Sequence, residues 1–136
     1  MSYYKDFREY LATLEEAGKL TKVQRRINKD TELHPLVRWQ FRGLEESQRT
    51  GFLFENVTDI SGKTYNSRVA TSVIAPSREV YASGLKCHLD QLHDKWKEAY
   101  QRPIPPRLVE SGPVKEEIHI GDNLLHVTRT LPWSWE

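Results

Sequence analysis

The sequence has little sulfur. Cys87 is its one cysteine and Met1 its one methionine. A lone cysteine excludes an intramolecular disulfide and a cysteine-built zinc cage. It suits a reducing compartment. Net charge is also scarce: 20 Lys and Arg against 19 Asp and Glu leave +1. That balance supplies no general attraction to nucleic acid or to an anionic membrane. No apolar run is long enough for a transmembrane helix, and no basic-then-apolar leader follows Met1. The expected location is therefore the cytoplasm. A P-loop, a dinucleotide fingerprint and a Gly-x-Ser-x-Gly elbow are all missing. Seven Gly and seven Pro are ordinary counts and exclude a collagen-like or low-complexity chain.

What is present fits one globular domain of 136 residues, 38% of them hydrophobic. Phe7, Tyr10, Leu11, Leu14 and Ala17 recur at offsets of three and four, predicting an amphipathic helix over 3–17 with Ser2 as cap and Gly18 as stop. Val23 and Ile27 mark a short strand over 20–27. Leu33, Leu36, Val37, Phe41 and Leu44 predict a second helix over 32–44, capped by Asp30 or Thr31. Pro35 is tolerated there because it lies in the first turn. Residues 52–57 read as a strand and 59–63 as a turn. The apolar run Arg68 to Ile74 reads as a central strand buried on both faces. Ser77 caps a third helix carrying Val80 and Tyr81, which Gly84 weakens or bends. A fourth helix carries Leu89, Leu92, Trp96, Ala99 and Tyr100 on one side, and Pro103, Pro105 and Pro106 forbid its continuation. Val114, Glu116, Ile118 and Ile120 alternate as in a half-exposed strand. Gly121 to Asn123 turns, and Leu124 to Val127 returns as its partner. The expected class is α+β: a small mixed sheet flanked by about four helices, with a C-terminal extended arm. Residues 1–102 can close a core. Residues 103–136 form a proline-rich linker and strand arm that needs something to lie against.

Candidate chemistry is sparse. His88, Asp90, His93 and Asp94 are the best local metal candidates, but two histidines five apart do not share a helix face. A solvated helix surface accounts for them better. His34 precedes Pro35 at a helix start. His119 and His126 sit in the arm, where a strand's polar face explains them better than proton transfer does. Arg25, Arg26, Lys29, Arg38 and Arg42 concentrate positive charge. They suit either a phosphate or carboxylate ligand or, more simply, pairing with Glu32, Glu45 or Glu46. Cys87 and His88 are adjacent, so on a helix they point about 100° apart and cannot readily share a proton. Cys87 reads as a small buried residue. Trp133 and Trp135 suit either interface anchors or packing on the domain itself. No residue emerges as catalytic, cofactor-binding or metal-binding.

Four stretches taken together carry a resemblance. They are Tyr4 to Leu14; Glu32-Leu33-His34-Pro35-Leu36-Val37-Arg38-Trp39-Gln40-Phe41; Phe52-Leu53-Phe54-Glu55-Asn56-Val57-Thr58-Asp59; and Pro105-Pro106-Arg107-Leu108-Val109-Glu110-Ser111-Gly112-Pro113-Val114-Lys115-Glu116. In order and spacing the chain resembles the N-terminal domain of UbiD-type decarboxylases, and Leu131-Pro132 is similar to the Leu-Pro before their catalytic half. The terminal Trp133-Ser134-Trp135-Glu136 departs from that pattern. The resemblance implies a parent enzyme that reversibly decarboxylates aromatic or α,β-unsaturated acids with prenylated FMN, manganese and potassium. The family's flavin, metal and Glu-Arg-Glu residues lie beyond the matched stretches, and no position here corresponds to them. The expectation is an inactive N-terminal portion, with no cofactor of its own, that works with a catalytic UbiD-like domain in cis or trans. A stand-alone interaction or assembly module is the alternative. Neither nucleic acid nor membrane is an expected partner, and homo-oligomer formation stays open.

Overall fold

A computed structural model describes residues 3–112 together with 120 and 121. The chain divides into two units, residues 1–101 and 102–136. In the first, four α-helices and a four-stranded mixed sheet make the α+β architecture that the sequence predicts.

Helix α1 spans Phe7–Glu16 and begins later than the periodicity suggests. Asp6, rather than Ser2, is its cap: the Asp6 carboxylate accepts from the Glu9 amide at 2.9 Å. An apolar stripe cannot mark a start that an acceptor side chain decides. Gly18 stops the helix as expected, with φ +67°. Around it the Gly18 amide reaches the Glu15 carbonyl and the Lys19 amide the Leu14 carbonyl, a complete Schellman closure.

Strand β1 (Leu20–Asn28) runs parallel to β2 (Gly51–Thr58), with a bulge between Val23 and Arg26. The link between them is a π-helical turn, Lys29–Leu33, that runs into helix α2, His34–Gly43. The predicted cap moves here as well. Asn28, not Asp30 or Thr31, accepts from the amides of Asp30 and Thr31. The wider π turn starts the coil three residues before an α-helix would. Pro35 sits in the first turn of α2, where a missing amide costs no helical bond.

On its other edge β2 pairs antiparallel with β3 (Thr64–Tyr65) and β4 (Val69–Thr71). The central strand is therefore β2. The run Arg68 to Ile74, expected to be central, gives only the short strand β4, which among the described strands pairs with β2 alone. Ser72 has φ +52°, which ends the ladder after Thr71, and Ile74 turns out to solvent. Continuous apolarity alone does not guarantee two-sided burial.

The register separates two cores. Phe54 lies opposite Val69, and both pack with Ile27, Leu33, Val37 and Val57 beneath α2. Leu53 lies opposite Ala70, and Ala70 packs with Tyr10, Leu14, Val73 and Val80 from the side of α1 and α3. Successive strand residues face opposite ways, so the sheet is a middle layer between helices. Helix α3, Arg78–Gly84, is capped by Ser77 as predicted. Gly84 closes its C-terminal end.

A short 3₁₀ turn, Leu89–Gln91, leads into helix α4, Leu92–Gln101. Its apolar side is less covered than the stripe implies. Trp96 and Tyr100 are exposed, and no α4 residue is fully buried. The Trp96 indole donates to the Tyr81 hydroxyl at 2.9 Å. Residues 103–112 adopt neither helix nor strand. The strand expected over 114–120, its partner over 124–127, His119, His126, Trp133 and Trp135 lie outside the described residues, Ile120 excepted.

Candidate functional site

The distinctive surface is the outer face of α2. At about 100° per residue, burying Leu33, Val37 and Gln40 forces Pro35, Arg38, Trp39 and Arg42 to the opposite side. That is what the structure shows: His34, Pro35, Arg38, Trp39 and Arg42 are all exposed and line one open depression. Trp39 is 71% exposed. Its indole lies over Gly43, where an added Cβ would meet ring Cε3 at 3.9 Å.

The core side of α2 holds a surprise. Phe41 and Leu44, expected in the apolar stripe, are exposed, while Gln40 is buried. Gln40 Oε1 accepts from the Thr50 amide at 3.0 Å and pins the start of β2 to the helix. Gln40 Nε2 is buried without a partner among the described residues.

The basic residues separate into two groups. Arg25 pairs with Glu32 at 3.2 Å, Lys29 with Asp30 at 2.7 Å, and Arg26 donates to the Gly62 carbonyl at 3.4 Å. The Asn28 amide and then Arg25 hold the Glu32 carboxyl below its ordinary range. The Lys29 ammonium, followed by the Ile60 amide, does the same for Asp30, and the Asp30 hydrogen bond raises Lys29 in turn. Pairing with Glu32 thus accounts for Arg25, while Asp30 holds Lys29 and a backbone carbonyl holds Arg26. Arg38 and Arg42 have no ion-pair partner among the described residues, so pairing does not account for them.

Nearby, Asp59 organises the turn between β2 and β3. It accepts from the Ser61 hydroxyl at 2.7 Å, the Tyr65 hydroxyl at 2.9 Å and the Lys63 amide at 2.9 Å. These bonds, that of Ser61 foremost, lower its pKa to about 2. The role is architectural, because its partners lie in the turn and in the β3 strand that follows it.

The remaining candidates are not drawn together. The His88 amide donates to Gln91 Oε1 at 3.2 Å in a capping box. Cys87 is half-buried rather than buried, and its thiol faces the Ala82 carbonyl at 3.8 Å. Among the described residues no group of three or more His, Cys, Asp and Glu could hold a metal ion. These described residues do not supply a metal ligand set. Among them, too, no helix is long and apolar enough to cross a membrane.

No family model and no curated protein matches the sequence. Solved structures do. Vanillic acid decarboxylase from Sedimentibacter hydroxybenzoicus, in an open form, matches with TM-score 0.63 and 28% identity over 85% of this chain. This chain is similar to a portion of UbiD-class enzymes. An evolved dimeric form of the UbiD-class enzyme HmfF from Pelotomaculum thermopropionicum, in complex with prFMN, matches with TM-score 0.56 and 28% identity over 75% of this chain. This chain spans 24% of the first relative's length and 21% of the second's.

Proposed function

We propose that this chain is the N-terminal, non-catalytic portion of a UbiD-like reversible decarboxylase acting on aromatic or α,β-unsaturated carboxylic acids. The reaction then belongs to a catalytic UbiD-like portion, in cis or trans, that holds prenylated FMN, manganese and potassium. The observation that carries this reading is the match of most of this chain to a quarter or less of two such enzymes. The chemistry of the described surface agrees with it. Among the described residues the carboxylates of Asp6, Asp59 and Glu32 are tied to a helix cap, a turn and an exposed ion pair with Arg25, which are structural roles. A fold that positions arginine and tryptophan on a helix face, without an acid–base pair, is suited to contact rather than to turnover.

The test is to incubate the purified 136-residue chain with prenylated FMN, Mn²⁺, K⁺ and a panel of aromatic and α,β-unsaturated acids. The reading predicts no protein-bound flavin spectrum and no CO₂ release. Stoichiometric flavin binding, or turnover by the chain alone, overturns it.

A further inference from the structure

We infer that the outer face of α2, formed by His34, Pro35, Arg38, Trp39 and Arg42, is a docking surface for a protein segment carrying two carboxylates about one helical turn apart. Three observations converge on this face. Arg38 and Arg42 project from the same side of the helix, four residues and so about 6 Å apart along its axis. Among the described residues neither is neutralised, whereas Lys19, Lys22, Arg25, Lys29 and Arg78 each hold a carboxylate. Trp39 lines the same depression beside them at 71% exposure, on a helix whose other side is already committed to the core.

Unpaired arginine beside a large exposed aromatic is the composition of interface hot spots. The guanidinium is weakly hydrated and binds carboxylates in a planar, bidentate fashion. The indole supplies apolar area and a face that a partner side chain can cover. The complementary occupant is a helix with acidic residues at i and i+4 and an apolar residue between them. Nucleic acid fits less well. Glu32 and Asp30 neutralise Arg25 and Lys29 in the basic stripe, and a chain of net +1 gives little phosphate attraction. The inference rests on the functional reading above only in that the reading supplies a protein partner. An assay without flavin separates the two.

The experiment titrates the isotope-labelled full chain with a capped helical peptide bearing glutamates at i and i+4 around a phenylalanine. A peptide with lysines in place of the glutamates is the control. The expected result is chemical-shift change confined to α2 and the Trp39 indole, absent with the lysine peptide and weakened by added salt. Replacing both arginines, Arg38→Glu with Arg42→Glu, weakens the acidic peptide at least tenfold and creates binding to the lysine peptide. Trp39→Ala weakens it without changing far-UV circular dichroism. No shift at millimolar peptide overturns the inference, as does binding that the double charge reversal leaves unchanged. Tight low-salt binding of duplex DNA that the same reversal abolishes reassigns the face to nucleic acid and overturns it too.

Discussion

Gly51 is the position where one added methyl group has the clearest calculable effect. It opens β2 and is buried, with its amide donating to the Lys19 carbonyl at 2.9 Å. Its φ is not positive, so the constraint is space rather than backbone conformation. A Cβ there would stand 2.8 Å from Val73 Cγ1 and 3.2 Å from Val73 Cα. Valine cannot swing away, because its branched side chain has few χ1 states. Its backbone cannot drift freely either, since the Val73 carbonyl accepts the Tyr10 hydroxyl at 2.5 Å. Overpacking of this kind costs about 1–3 kcal/mol. The loss of glycine's unfolded-state freedom returns about 0.4–1 kcal/mol. Gly51→Ala is therefore expected to destabilise by about 1–2 kcal/mol, the middle of the range of about 0–2.6 kcal/mol that the two effects leave. For a unit of this size that lowers Tm by roughly 5–15 °C. Gly43→Ala is the matched control. It closes α2, and its new Cβ meets only the Trp39 ring at ordinary contact distance. It should stabilise by about 0.5–1 kcal/mol. Thermal and urea unfolding followed by far-UV circular dichroism measures both. A Gly51→Ala protein as stable as the parent, or two variants that shift in the same direction, refutes the reasoning.

Two further perturbations probe the same unit. Asp59 titrates near 2 when folded and near its ordinary 3.8 when unfolded, so the stability it lends is complete above about pH 4 and vanishes as pH falls towards 2. Tm measured from pH 5 to pH 2 should fall less steeply in Asp59→Asn than in the parent, and parallel profiles would show that the turn bonds are not linked to folding. Tyr10→Phe removes the buried hydroxyl that donates to the Val73 carbonyl and should cost about 1–2 kcal/mol; an unchanged urea midpoint would mean that the carbonyl finds another donor.

Local chemistry was the legible part of this fold. Gly18, Pro35 and Ser77 act where their side chains say they must, because φ > 0, a missing amide and a hydroxyl acceptor are local properties. Structure departs from sequence expectation where tertiary contacts choose among local options. Asp6 displaced Ser2, and Asn28 displaced Asp30 and Thr31, because several acceptors competed for each helix start. Gln40 took the buried place assigned to Phe41 because the start of β2 needed an acceptor for the Thr50 amide. The run Arg68 to Ile74 looked like a central strand because apolarity does not record which partner lies beyond it. Of the candidate site, the basic residues were visible as a cluster. Their division into paired and unpaired groups was not, since Arg25 and Glu32 meet only after the π turn folds back. The exposure of Trp39 was readable in principle: two residues after buried Val37, it must face away from the core.

Among the described residues, three of the four strands have their one ladder with β2. A slip of one residue there would invert Phe52, Leu53 and Phe54 at once and misalign every neighbour together. Its principal partner precedes it by a whole crossover, so nascent β1 has nothing to pair with until Gly51 to Thr58 has been synthesised. Newly made molecules thus carry an unsatisfied sticky edge for a time, and chaperone demand and insoluble yield should track that delay more closely than the stability of the finished protein.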